Sequence, residues 1–156
     1  RRLLQEAEAE ARSLTFQLSP PALYEFGLLE AVKDLAARLS EAHELAIEVR
    51  APTAVSVADE NLRTLLFGAI RELLMNVVKH ARASRATVIL EVKDGRLRVE
   101  ICDDGRGFDA SALGVEGRGF GLFSTNERLQ SCGGSLQVNS KPGHGTTCVV
   151  DVPLRC

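Results

Sequence analysis

The stretch Asp103-Asp104-Gly105-Arg106-Gly107-Phe108, resumed a few residues later as Gly117-Arg118-Gly119-Phe120-Gly121, decides how the rest of the chain is read. A strand that delivers a carboxylate into a loop too rich in glycine to pack by itself, followed by a helix start, makes a poor core. It makes a workable pocket for a phosphate-bearing ligand. Glycine lets the backbone approach a ligand closely and adopt positive φ, and free N–H groups at a helix N-terminus attract anions. Spaced glycines also serve turns, so the flanking segments must decide.

The 156 residues are enough for one domain with a real core. A hydrophobic share of 45%, a charged share of 26% and a net charge of -2 describe an ordinary globular chain and give no reason to expect nucleic acid or acidic lipid as a partner. No apolar run approaches the roughly 20 residues of a membrane span, and nothing resembles a signal peptide. Cys102, Cys132, Cys148 and Cys156 form no CxxC pair and have no histidine at metal-ligand spacing, so reduced thiols in a cytosolic protein are expected. The chain opens on Arg1-Arg2 already in helical register, which reads as a fragment with sequence upstream.

Outward from the glycine stretch, the elements follow from periodicity. Arg1 to about Ser19 reads as a helix whose Leu4, Ala7, Ala11, Leu14 and Leu18 have the a/d spacing of a bundle or coiled coil. Ser19-Pro20-Pro21 ends it. A second helix is expected from Leu23 or Gly27 to Ala42, then a strand over Leu45 to Arg50, with Val55 to Val57 as a short extended piece. Asp59 is a good N-cap for the longest helix, which is expected to reach Ala81 or Arg82 with a wide apolar face. Glu72, Asn76 and Lys79 or His80 follow one another at spacings that share a stripe of that helix. Two strands, Ala86 to Val92 and Arg96 to Ile101, flank an Asp94-Gly95 hairpin, and the second delivers Asp103 to the glycines. A helix from about Phe120 to Ser131 stops at Gly133-Gly134, and strands Ser135 to Asn139 and Thr146 to Val152 flank Lys141 to Gly145. This order suits an α+β fold, a two-layer α/β sandwich with a mixed sheet covered on one face by helices.

Several residues invite chemistry. Asp103 at a strand end can accept from an exocyclic amine such as that of adenine, or it can simply make an Asx turn. Asn76 is a helix-interior amide, a mildly disfavoured placement that suits an oxygen ligand for Mg²⁺ or a backbone-bonded Asn. Glu72, one turn earlier, can hold a metal-bound water or pair with Lys79. Gly119 and Gly121 stand before a helix start, where N–H groups meet phosphates, and Lys79, Arg106 and Arg118 can add positive charge.

Taken together these residues resemble a known family. Glu72-Leu-Leu-Met-Asn76-Val-Val-Lys79-His80-Ala81 looks like the asparagine box of the GHKL ATPase superfamily, named for gyrase, Hsp90, histidine kinases and MutL. Asp103-x-Gly105-x-Gly107 resembles its first glycine box, Gly117-x-Gly119-x-Gly121-Leu122 the second, and Gly145-Thr146 the closing element. Lys79-His80-Ala81, Asn126-Glu127-Arg128-Leu129 before Gly133-Gly134, and the run from Leu18 to Leu28 resemble the NarL/DegS-type sensor histidine kinases in particular.

The resemblance implies a Bergerat ATP-binding fold over residues 20–156. Residues 1–19 would be the end of a dimerisation and phosphoacceptor helix. Asp103, with Thr146, would read the adenine amine. Asn76 would ligate Mg²⁺, with Glu72 assisting as a catalytic residue. Lys79, His80, Gly105, Gly107, Phe108, Arg118, Gly119, Gly121 and Leu122 would complete the ATP site, with Phe108 to Arg118 as its lid. The implied activity is transfer of the γ-phosphoryl group to a histidine and thence to a response regulator receiver domain, in a cytoplasmic part of a homodimer. The acceptor histidine of that group would lie upstream of Arg1. His43 follows the Pro-Pro break, His80 belongs to the asparagine box and His144 to a turn, so none has acceptor context. The alternative is a nucleotide-sensing module, or a phosphatase-biased kinase, that binds ATP or ADP without productive autophosphorylation.

Overall fold

The apolar periodicity between Asp59 and the asparagine segment builds the element on which everything else packs. A computed structural model describes residues 20–113 and 119–155. The expected helix over Arg1 to Ser19, with its bundle stripe, lies outside the described residues, as do Gly117, Arg118 and Cys156.

The order is α1 (Pro21–Glu25), α2 (Leu28–His43), β1 (Ala46–Arg50), α3 (Glu60–Asn76), a π-helical turn (Val77–Ala81), β2 (Arg85–Lys93), β3 (Arg96–Asp103), α4 (Phe120–Gln130), β4 (Ser135–Ser140) and β5 (Thr146–Pro153), with a 3₁₀ turn at Ala110–Ala112. The strands form one mixed sheet in the order β1-β2-β3-β5-β4. Only β1 and β2 run parallel; the other three pairs are antiparallel. The α+β architecture with a mixed sheet is therefore as expected.

Alternation decides which face is covered. Val88 and Leu90 of β2, Leu97, Val99 and Ile101 of β3, and Cys148, Val150 and Val152 of β5 all point into one core with Leu66, Phe67, Ile70, Leu73 and Leu74 of α3 and Leu129 of α4. The opposite face carries Arg98 paired with Glu100 and Arg96 paired with Asp151.

Four details differ from the sequence expectation. Pro21 does not only end what precedes it: it opens α1 at the first helical position, where its missing N–H costs nothing. Gly27, at φ 87, then separates α1 from α2 and caps the latter, so of the two expected starts Gly27 holds and Leu23 belongs to the short helix before it. Val55 to Val57 pairs with no strand; Thr53 ties this segment to the sheet by accepting from the Val92 N–H at 2.7 Å. The long helix changes character after Asn76, its last five residues forming the π turn, and Arg82 leaves it with φ 51. The Asp94-Gly95 hairpin has φ 51 and 72 at its two central residues, the left-handed pair that a two-residue turn needs to match strand twist.

Asp59 caps α3 as expected, its Oδ1 accepting from the Leu62 N–H at 2.8 Å. Asp59→Ala should lower stability by about 1 kcal/mol, seen as a lower urea midpoint at unchanged slope.

Candidate functional site

The register of the sheet assembles the site. Ala86, Asp103, Thr146 and Ser140 are aligned across β2, β3, β5 and β4 as the last row of the helix-covered face. The row before it consists of Val88, Ile101, Cys148 and Val138, so the core turns polar within one step.

Asp103 is held in this row by backbone donors. Its Oδ1 accepts from the Gly105 N–H at 2.8 Å, so the Asx turn open at the sequence level does form. Burial raises the carboxyl above its usual range, and the N–H groups of Gly105 and Thr146 partly oppose that. Its neighbour Asp104 behaves oppositely. It is exposed, accepts from the N–H groups of Arg85 and Ser84, and is held below the ordinary range by them.

The glycines are where segments meet too closely for a side chain. A Cβ on Gly105 would collide with the Ala81 carbonyl and stand 2.7 Å from both the Ala81 methyl and Asp103 Oδ1. One on Gly107, at φ 60, would strike the Lys141 carbonyl, and one on Gly145, at φ 69, the Asp103 carbonyl. Hydrogen bonds follow the same contacts: the Arg106 N–H donates to Ala81 O at 2.7 Å and Gly143 N–H to Arg106 O at 2.6 Å. The π turn, the first glycine loop and the last hairpin are thus joined at the open end of the sheet. Arg106 is not free to serve as a floating cation, because its Nε donates to His80 O at 2.8 Å.

At the other end of the site, Gly119 has φ 79 and caps α4. A Cβ on Gly121 would stand 2.5 Å from Glu72 Oε1, so the carboxylate of α3 lies against the first turn of α4. The positive end of that helix favours an anion there. Asn76 ends α3, half-buried, and its side chain makes no capping bond to the π turn. Lys79 and His80 are exposed, because the π turn takes them off the Glu72–Asn76 stripe that the spacing had extended to them. Phe108 is half-buried where the loop leaves the glycines, and Leu122 packs against the core under α4. Arg118 lies outside the described residues, so of the segment expected to form a lid only Phe108 to Leu113 is described.

Sequence reasoning missed Ser140. Its Oγ accepts from the Phe108 N–H at 2.9 Å, donates to Gly145 O at 3.0 Å and lies 2.8 Å from Thr146 Oγ1. A serine just before a Pro-Gly turn gives no signal beyond turn chemistry. Among the described residues Cys102 and Cys148 are free thiols, and burial pushes Cys148 up to about 12.

With this geometry in view, comparison with known proteins is informative. The family model described as "Histidine kinase-, DNA gyrase B-, and HSP90-like ATPase" matches residues 61–155. The sensor histidine kinase LiaS of Bacillus subtilis is 36% identical over 150 residues, covering 96% of this chain and 40% of LiaS. The sensor histidine kinase NarS of Mycobacterium tuberculosis is 35% identical over 97% of this chain and 35% of NarS. The kinase/phosphatase DegS of Brevibacillus brevis is 30% identical over 99% of this chain and 39% of DegS. This chain therefore spans two fifths or less of the curated relatives it matches. Among solved structures, the blue-light activated histidine kinase of Erythrobacter litoralis superposes with a TM-score of 0.72 at 24% identity, over 94% of this chain and 50% of that one. The catalytic domain of the histidine kinase ThkA superposes with a TM-score of 0.66 at 14% identity, over 83% of this chain and 94% of that one. These two show the shared fold.

The Asp103 carboxyl holds its proton more tightly folded than unfolded, so its contribution to stability falls as pH rises from the ordinary carboxylate range through the raised native value. Asp103→Asn cannot ionise. It should melt higher than the parent, by a margin that widens as pH rises through that window; a margin constant across thermal melts from acid to neutral pH would contradict this.

Proposed function

On the premise that the chain belongs to the histidine kinase-, DNA gyrase B-, and HSP90-like ATPase family, as the ATP-binding catalytic domain of a sensor histidine kinase, we propose that the whole protein transfers the γ-phosphoryl group of Mg²⁺-ATP to a histidine outside this sequence. From there the group would pass to a receiver domain of a response regulator. The observation that carries the reading is the pair Asp103 and Thr146 closing the core row, with the glycine-capped start of α4 beside Glu72.

In this reading Asp103 and Thr146 accept from the adenine amine. Gly105 and Gly107 let the loop close on Ala81 and Lys141, which holds it beside Asp103. The N–H groups after Gly119 and the dipole of α4 receive the phosphates. Lys79, exposed at the rim, adds charge. Phe108 roots the lid, and Arg118 within it is the further phosphate contact. Mg²⁺ fits the donors at hand. Asn76 offers an amide oxygen with no capping duty, and Glu72 a carboxylate that can order a water, which suits an ion that keeps waters and takes the rest of its ligands from phosphate. When bound, the ion would neutralise charge on the β- and γ-phosphates. The chain's own part is to orient the nucleotide in line with an incoming imidazole and to keep water away.

Residues 1–19 would be the end of the dimerisation and phosphoacceptor helix, which makes the whole protein a homodimer with this domain in the cytoplasm. No described helix is long and apolar enough to cross a membrane. A phosphatase bias is the second reading, favoured by the kinase/phosphatase name of one relative.

ADP or a non-hydrolysable ATP analogue with Mg²⁺ should raise the thermal midpoint by mass action, and Asp103→Ala should abolish the rise. An unchanged midpoint at millimolar nucleotide would refute the pocket. This chain alone should take up no label from γ-labelled ATP, whereas a chain extended upstream through the first bundle helix should; label on His43 would displace the acceptor assignment. Failure of the extended chain to label, with nucleotide binding intact, would favour the second reading.

A further inference from the structure

We propose that Ser140 is a specificity-determining positioning residue: it takes the proton of the Thr146 hydroxyl, so that the base end of the pocket offers acceptors only. The argument is a count of protons. A serine hydroxyl has one proton to donate and two lone pairs. Ser140 donates its proton to Gly145 O at 3.0 Å and accepts from the Phe108 N–H at 2.9 Å. Its remaining contact is Thr146 Oγ1 at 2.8 Å. With the Ser140 proton already committed, that bond forms only if Thr146 donates. Ser140 is then saturated, and Thr146 Oγ1 has lone pairs alone to show to a ligand.

Thr146 is the cross-strand partner of Asp103, and its N–H is one of the two that bind the Asp103 carboxyl. The two side chains therefore present one polarity together. A base edge with an amine donor at this point is accepted, directly or through one water. A keto oxygen at the same position finds no donor. The same serine anchors the Phe108 N–H, where the lid begins, so the polarity of the base end and the root of the lid share one hydroxyl.

The inference rests on the reading of Asp103 as the adenine end, and adenosine and inosine nucleotides test it because they differ there by amine against carbonyl. The probes are ADP and inosine diphosphate, each with Mg²⁺, titrated calorimetrically against the full chain. The parent should prefer ADP. In Ser140→Ala the Thr146 hydroxyl is free to turn and donate, and the preference should shrink by roughly three- to tenfold, the worth of one hydrogen bond. Ser140→Thr keeps a hydroxyl and should keep the parent's preference. Ser140→Cys, near in volume and weak as an acceptor, should behave as the alanine does and replaces it should that variant not fold. A serine with a purely structural role would weaken both nucleotides by the same factor; an unchanged preference in Ser140→Ala, with Asp103→Ala unable to bind ADP, overturns the proposal and leaves the pocket standing. Retained ADP binding in Asp103→Ala overturns the pocket reading beneath it.

Discussion

The structure depends on backbone meeting backbone at places where no Cβ fits. Gly105 against Ala81, Gly107 against Lys141 and Gly145 against Asp103 bring three separate segments to the open end of the sheet. Each glycine raises the entropic cost of folding by roughly 0.5–1 kcal/mol relative to alanine. The hydrogen bonds of Arg106 to Ala81 and of Gly143 to Arg106 lie at the same contacts and offset part of that cost. Two of the three sites also need positive φ, so close approach and backbone conformation select the same residue twice.

The last row of the core sets burial against charge. Cys148 and Ile101, one row earlier, are simply buried. Asp103 is partly desolvated, which works against its charged form, and its two N–H donors oppose this only in part. Asp104, one residue on, is exposed and held in its charged form by Ser84 and Arg85. Two adjacent carboxylates are thus separated into an exposed one that fastens the loop to Ser84 and Arg85 and a half-buried one at the end of the core.

What was legible in the sequence had local chemistry behind it. Asp94-Gly95 names its turn, Asp59 its cap, and the spacing of Leu62, Leu66, Ile70 and Leu73 the central helix, so α3, β2 and β3 were readable to within two or three residues until the π turn began. The glycines around Asp103 drew attention to this loop, and the structure explains three of those in this region by backbone meeting backbone, at Gly105, Gly107 and Gly145. Less visible was whatever depends on partners distant in the chain. Val77 to Ala81 continues a helical pattern, and nothing local marks the widened turn, which ends where Ala81 meets Gly105. Arg106 reads as a surface cation until His80 O is found beside it. The separation of α1 from α2 turns on Gly27, which at φ 87 both breaks the chain after α1 and caps the start of α2, while Leu23 and Leu28 on either side are buried.

The π turn also constrains how the gene can vary in length. A widened turn is an α-helical turn holding one residue more than it needs. Removing that extra residue between Val77 and Ala81 would let the segment relax to an ordinary helical turn and leave the sheet beyond it close to its present place. What would change is the turn itself, whose His80 and Ala81 carbonyls now receive the two Arg106 donors. A change of length here is therefore felt first at the contact with the glycine loop and only afterwards in the rest of the domain.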